Sequence, residues 1–127
     1  MILGIGIDLV SHFQVKSVFL KHEKRFIARI AHMVDIKHAP AESSPQWLSY
    51  WASRFAVKEA CAKALGTGFG KALALKEIGV DKNKSGQPFL VFSKKFLKNL
   101  KQMKISETHV SLSHTRTESI AIVILEK

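Results

Sequence analysis

Two carboxylates, Asp8 and Glu59, stand among neighbours that do not suit them. Asp8 falls within GIGIDLV, residues 4 to 10, a run that otherwise reads as a buried strand. Alternate residues of a strand face opposite ways. Leu3, Ile5, Ile7 and Leu9 therefore share one face, expected on the core, while Gly4, Gly6 and Asp8 share the other. Two absent side chains beside a carboxylate leave a notch suited to a metal ion or to a ligand that approaches the backbone. A strand end or a helix cap would account for Asp8 equally well.

Glu59 and Lys63 belong to WASRFAVKEACAKALGTG, residues 51 to 68. On a helix, Glu59 projects between Leu48 and Ala52, with Phe55 and Ala62 close by. A carboxylate packed among apolar groups should be paired, protonated or metal-bound. Lys63 lies one turn on and could pair with it, and that ion pair alone is the plain structural alternative. Arg54 and Lys58 project from another side, where solvation is expected. In VSLSHT, Val110, Leu112 and His114 would share one strand face, with His114 just before a turn.

Other chemistries find no support. The remaining five histidines show no metal-ligand spacing, and there is no Cys/His cluster for zinc. GIGID lacks the third glycine of a dinucleotide fingerprint. GTGFG follows a helix and has no GK[ST]. Cys61 is the only cysteine, so no internal disulfide can form; it reads as a small buried hydrophobe in a chain compatible with a reducing compartment.

These residues need elements to position them. The periodicity predicts a helix over SHFQVKSVFLKHEKRFIARIAHM with a basic solvent side, then a loop over VDIKHAPAESSP. Ser44 and Pro45 mark the start of a long helix from about Gln46 to Leu65, which Gly66 stops. ALKEIGVDKN and QPFLVF read as two strands, and KKFLKNLKQM as an amphipathic helix with Phe96, Leu97, Leu100 and Met103 inward. HVSLSH and SIAIVILEK form a closing hairpin. About five strands and three helices give an α+β fold with antiparallel hairpins.

The 127 residues fit one domain, 1–127, by the prior of roughly 100 to 200 residues each. No apolar run approaches the ~18 residues of a membrane span, and MILGIGIDLV has no basic region or cleavage site of a secretion signal. A cytoplasmic protein is expected. Twenty Lys and Arg against ten Asp and Glu give a formal charge of +10, a field that attracts polyanions. Nucleic acid, a phosphorylated small molecule and an acidic protein all qualify.

GIGIDLV, RFAVKEACAKALGTG and HVSLSHT, in this order, resemble the signature blocks of holo-[acyl-carrier-protein] synthases, the small 4′-phosphopantetheinyl transferases; GQPFLVF resembles the family's strand after a G-x-P turn. The resemblance implies the family's fold, an antiparallel sheet packed on a long central helix. It also implies transfer of phosphopantetheine from coenzyme A to a serine of an apo acyl carrier protein, in support of fatty acid biosynthesis. Asp8 and Glu59 would hold Mg²⁺, and Lys63 would lie beside the phosphate. Arg54, Lys63, His114, Gly66, Thr67 and Gly68 would contact coenzyme A. For the serine proton, Glu59 is the candidate general base, directly or through a water, with Lys63 or water as alternatives, and Lys63 would offset phosphate charge. Homotrimers with active sites between subunits are implied too, with an acidic carrier protein as partner and no nucleic acid or membrane. Ser11 and Gln14 stand where relatives usually carry an acid and an arginine, which takes a third carboxylate and one carrier-protein contact out of the transfer. The competing readings are a basic nucleic-acid-binding module without catalysis, and another Mg²⁺-dependent enzyme on coenzyme A or a nucleotide, such as a hydrolase.

Overall fold

The computed structural model describes residues 1–22, 24–66 and 74–127. In chain order it forms β1 (Ile2–Ser11), α1 (His12–His22), α2 (Lys24–Ile30), α3 (Met33–His38), α4 (Trp47–Leu65), a 3₁₀ turn at Leu75–Glu77, β2 (Ile78–Lys82), β3 (Pro88–Phe92), α5 (Lys94–Gln102), β4 (Glu107–His114) and β5 (Glu118–Glu126). The strands make two antiparallel sheets, one ordered β1-β5-β4 and one pairing β2 with β3. The fold is α+β, as expected, with α4 packed along the larger sheet. Among the described residues no helix is long and apolar enough to cross a membrane.

The face of β1 that meets the core is the reverse of the expected one. Leu3, Ile5, Ile7 and Leu9 are all exposed, and Gly6 is buried. The reason is close packing. A Cβ on Gly4 would overlap the carbonyl oxygen of Ala64, and one on Gly6 that of Ala60. Ala52, Ala56, Ala60 and Ala64 recur every four residues along α4 and are buried, and the Ala60–Ala64 end of this small-residue ridge lies against the two strand positions that lack side chains. The glycines admit the helix backbone, and the notch is occupied by protein until the chain reaches Asp8.

Other differences have equally local causes. The long first helix is two helices, on either side of residue 23. A short helix, α3, replaces part of the expected loop. His32 caps it, its Nδ1 accepting from the Val34 amide at 3.1 Å while its own amide donates to Asp35 Oδ2 at 2.9 Å. In α5, Phe96 and Leu100 are buried but Leu97 and Met103 are exposed. The long helix ends as expected, with Gly66 at φ 75° in the left-handed cap conformation.

Lys58 departs furthest from expectation. Its side chain is 0% exposed, because α3 and the segment entering β2 fold over that side of α4. Its ammonium group donates to Asp35 Oδ2 at 2.8 Å, to the Leu75 carbonyl at 3.2 Å and to the Ile78 carbonyl. Asp35, also 0% exposed, accepts in addition from the amides of His32 and Val80. Every ammonium proton thus has an acceptor, the condition under which a buried pair is tolerated. Arg54, likewise expected in solvent, is only 4% exposed.

Candidate active site

Asp8 is held by β1, whose neighbour on the ladder at that position is Ala121 of β5. Glu59 and Lys63 come from α4, which the glycine contact sets close to β1. A cavity of about 270 Å³ lies here, lined by Asp8, Gln14, Val15, Val18, Phe55 and Glu59 among others. Lys63 Nζ donates to Asp8 Oδ1 at 3.0 Å and to the Ile7 carbonyl at 3.0 Å. The Glu59–Lys63 ion pair, the plain structural alternative, is not formed: Lys63 turns to the aspartate on the neighbouring strand, a partner that helical spacing does not reveal. Burial pushes the Glu59 pKa up, the negative charge of Asp8 pushes it further up, and Lys63 offsets part of this. Two acids and one ammonium share one electrostatic field at a partly apolar cavity. Oxygen donors so placed suit a hard divalent cation, which usually takes only one or two protein carboxylates.

Arg54 and His114 lie elsewhere. Five residues separate Arg54 from Glu59 on α4, about 140° around the helix. Both Arg54 and His114 line a second cavity of about 630 Å³, with His38, Gln46, Ser49, Tyr50, Ser53 and Lys82. The Arg54 guanidinium stacks on the Tyr50 ring at 4.0 Å, and the Tyr50 hydroxyl donates to the Asp35 carbonyl. Among the described residues, no acceptor satisfies the buried Nε and Nη2 atoms of Arg54. Buried guanidinium protons without an acceptor are costly, and an anionic ligand would supply what is missing. The two cavities share no lining residue.

The structure therefore brings Asp8, Glu59 and Lys63 together and sets Arg54 and His114 apart from them on the same chain. Thr67 and Gly68 lie outside the described residues, whereas Gly66 is placed as the cap of α4. Cys61 is fully buried, and burial pushes its thiol up to about 12, consistent with a packing role. Ser11 Oγ accepts from the Gln14 amide at 3.4 Å at the start of α1, so a local contact occupies that hydroxyl.

The sequence pattern missed Tyr50, Ser53 and the Asp35–Lys58 pair. Asp35 carried a usable signal, since Val34 and Ile36 flank it as apolar residues flank Asp8. Nothing in the pattern of α4 distinguished Lys58 from a solvated lysine.

Comparison with known proteins identifies the family. The 4′-phosphopantetheinyl transferase superfamily matches residues 4–123. A curated holo-[acyl-carrier-protein] synthase of Maridesulfovibrio salexigens is 38% identical over 127 residues, covering all of both chains. The crystal structure of holo-[acyl-carrier-protein] synthase from Neisseria meningitidis superposes with a TM-score of 0.92 at 34% identity, covering 100% of each chain. That of the Helicobacter pylori enzyme in complex with coenzyme A gives 0.83 at 30% identity, over 96% of this chain and 99% of that one. A match across nearly the whole length, in sequence and in fold, places this chain in the 4′-phosphopantetheinyl transferase superfamily.

Proposed function

We propose that this protein is a holo-[acyl-carrier-protein] synthase. It transfers the 4′-phosphopantetheine group of coenzyme A to a serine of an apo acyl carrier protein and releases adenosine 3′,5′-bisphosphate, supporting fatty acid biosynthesis in the cytoplasm as one domain, residues 1–127. The observation that carries the reading is the convergence of Asp8 of the first strand and Glu59 of the central helix at one cavity, with Lys63 of that helix bonded to Asp8. A basic nucleic-acid module explains the charge of +10 but gives no reason for two mutually repelling acids beside an apolar pocket.

Asp8 and Glu59 are the residues that would hold Mg²⁺. The fit rests on their oxygen chemistry and on the repulsion visible in the raised Glu59 pKa, which a divalent cation would relieve. When bound, magnesium neutralises pyrophosphate charge during phosphoryl transfer. The chain's own residues do the rest. Glu59 takes the proton of the carrier serine, directly or through a water. The serine oxygen bonds to the β-phosphorus as the bond from that phosphorus to the departing adenosine bisphosphate breaks. Lys63 offsets charge on the phosphate oxygens. Arg54 and His114 receive the anionic part of coenzyme A, the guanidinium supplying the protons that lack protein acceptors. Gly66, Thr67 and Gly68 belong to the ligand loop. The positive field speeds encounter with the polyanionic coenzyme and an acidic carrier protein.

Two separate half-sites on one chain raise the question of how one ligand meets both. Leu3, Ile5, Ile7 and Leu9 are 45–61% exposed, and Ile120 of the adjacent strand is 38% exposed. Such an apolar sheet face is what a second copy would cover. A homotrimer whose active sites each combine the Asp8 half of one copy with the Arg54 half of the next satisfies both observations.

Incubation with coenzyme A, Mg²⁺ and an apo carrier protein tests the reaction: the carrier gains the mass of one phosphopantetheine. Cleavage of coenzyme A without that gain would point to a hydrolase, and inertness to a binding module. Mixing inactive Asp8→Asn and Arg54→Ala chains tests the shared site. Random assembly restores up to about a quarter of the wild-type sites if each site draws on two copies. No recovery, with mixed oligomers verified by native mass spectrometry, refutes the shared site.

A further inference from the structure

We infer that His12 is a positioning residue for coenzyme A, tying the β4–β5 turn, which directly follows His114, to the helix that carries Arg54. The inference rests on the reading of Arg54 and His114 as coenzyme A contacts. His12 opens α1, four residues beyond Asp8, and is only 6% exposed. It grips the β4–β5 turn twice. Its backbone amide donates to the Thr117 carbonyl at 2.8 Å, and its Nδ1 meets the Arg116 carbonyl at 3.1 Å. On the other side of the ring, Nε2 lies 2.8 Å from Ser119 Oγ, which lies 3.0 Å from Ser53 Oγ. Ser119 and Ser53 are 1% and 4% exposed, so water does not compete for these bonds.

The hydrogen positions follow from the partners. A carbonyl oxygen only accepts, so Nδ1 carries the ring proton. In the tautomer with its proton on Nδ1 alone, Nε2 accepts from the Ser119 hydroxyl. With its one proton used, Ser119 Oγ accepts from Ser53. The chain of donors runs in one direction, Ser53 to Ser119 to His12 to the Arg116 carbonyl, and every member is satisfied.

The ends of this chain matter for binding. Ser119 pairs directly with His114 across the β4–β5 ladder and with Val10 on β1. Ser53 precedes Arg54 on α4, and Ser53, Arg54 and His114 line one cavity. His12 and His114 together line the neighbouring one. His12 thus fixes the separation between His114 and Arg54 without touching the ligand cavity that holds them both. Asp8, by contrast, is set by β1 pairing with β5 and by Lys63, so losing His12 leaves the metal-binding half in place. The expected consequence is a defect in ground-state binding, with the chemical step spared.

Kinetics of transfer and calorimetric titration with adenosine 3′,5′-bisphosphate test this on wild type, His12→Leu, His12→Asn, Ser119→Ala and Arg54→Ala. His12→Leu, which fills the space without polar atoms, raises the KM for coenzyme A about tenfold and leaves kcat within about twofold. His12→Asn places an amide N–H where Nδ1 was and recovers most of that loss. Ser119→Ala gives an intermediate rise. Wild-type KM in His12→Leu, equal losses in kcat and KM, or an Asn variant as impaired as Leu each overturns the role. Should His12→Leu fail to fold, wild-type KM and bisphosphate affinity in Ser119→Ala overturn it instead. Unaltered bisphosphate binding by Arg54→Ala shows that the cavity itself is misassigned, which separates failure of the underlying reading from failure of the His12 role.

Discussion

Two lysines of α4 each hold an aspartate at almost the same distance, Lys58 to Asp35 at 2.8 Å and Lys63 to Asp8 at 3.0 Å, yet the pairs serve opposite ends. Lys58 and Asp35 are both 0% exposed, and backbone groups of three other segments complete their hydrogen bonding. Lys63 and Asp8 have side chains 57% and 16% exposed, and Asp8 lines a cavity together with Glu59. The first pair is saturated and has no capacity left for a ligand. The second can exchange its partners for phosphate and a metal at little cost, since exposed ion pairs contribute at most about 1 kcal/mol. Distance alone does not separate structure from chemistry; saturation and solvent access do.

The sharpest way to break the comparison is to remove one charge from each region. Asp8→Asn and Glu59→Gln each lower the transfer rate by about 10³-fold, while stability changes by no more than about 1 kcal/mol. Carrier-protein mass analysis and urea denaturation measure the two quantities, and near-normal rates at low Mg²⁺ would end the metal assignment. Lys58→Met does the reverse. It leaves the Asp35 carboxylate buried and unpaired, and costs about 3–5 kcal/mol by urea denaturation. The double change Lys58→Met with Asp35→Leu restores part of that stability, because no buried charge remains. A Lys58→Met protein as stable as wild type would mean that the pair does not lock α3 and β2 to α4.

The smallest effect is a titration. Glu59 has a folded pKa above the usual carboxylate range, so its proton is lost only as pH rises past that ordinary range. Mg²⁺ held by the same carboxylate would lower that pKa, so the shift is read on the metal-free protein. Carboxyl NMR without Mg²⁺ locates the midpoint. Asp8→Asn lowers it by removing a repelling charge, and Lys63→Ala raises it by removing an attracting one. A midpoint unmoved by Asp8→Asn would uncouple the two acids.

Much of the fold was legible because its signals are local. The end of helix α4 announced itself through Gly66, and the closing hairpin through alternation across TRTE; at the start, Gln46 rather than Ser44 is the N-cap and Pro45 precedes the helix. The candidate site was legible as residue types: Asp8 and Glu59 are carboxylates in apolar company, and α4 and β1 do bring them to one cavity. The orientation of β1 was not legible. Alternation of isoleucine with glycine indicates two faces, but which of them meets the core depends on a helix 50 residues away.

The order of the sequence by itself determined which residues could do chemistry, where the main helix and hairpin lie, and how strongly the molecule attracts anions. Only the tertiary structure decided that Lys58 is buried, that Lys63 prefers Asp8 to Glu59, and that Arg54 faces a separate cavity. Periodicity reports how a segment's residues are arranged around its own axis. Burial, pairing and pKa are set by the groups that other segments bring to that axis, and those exist only once the chain has folded.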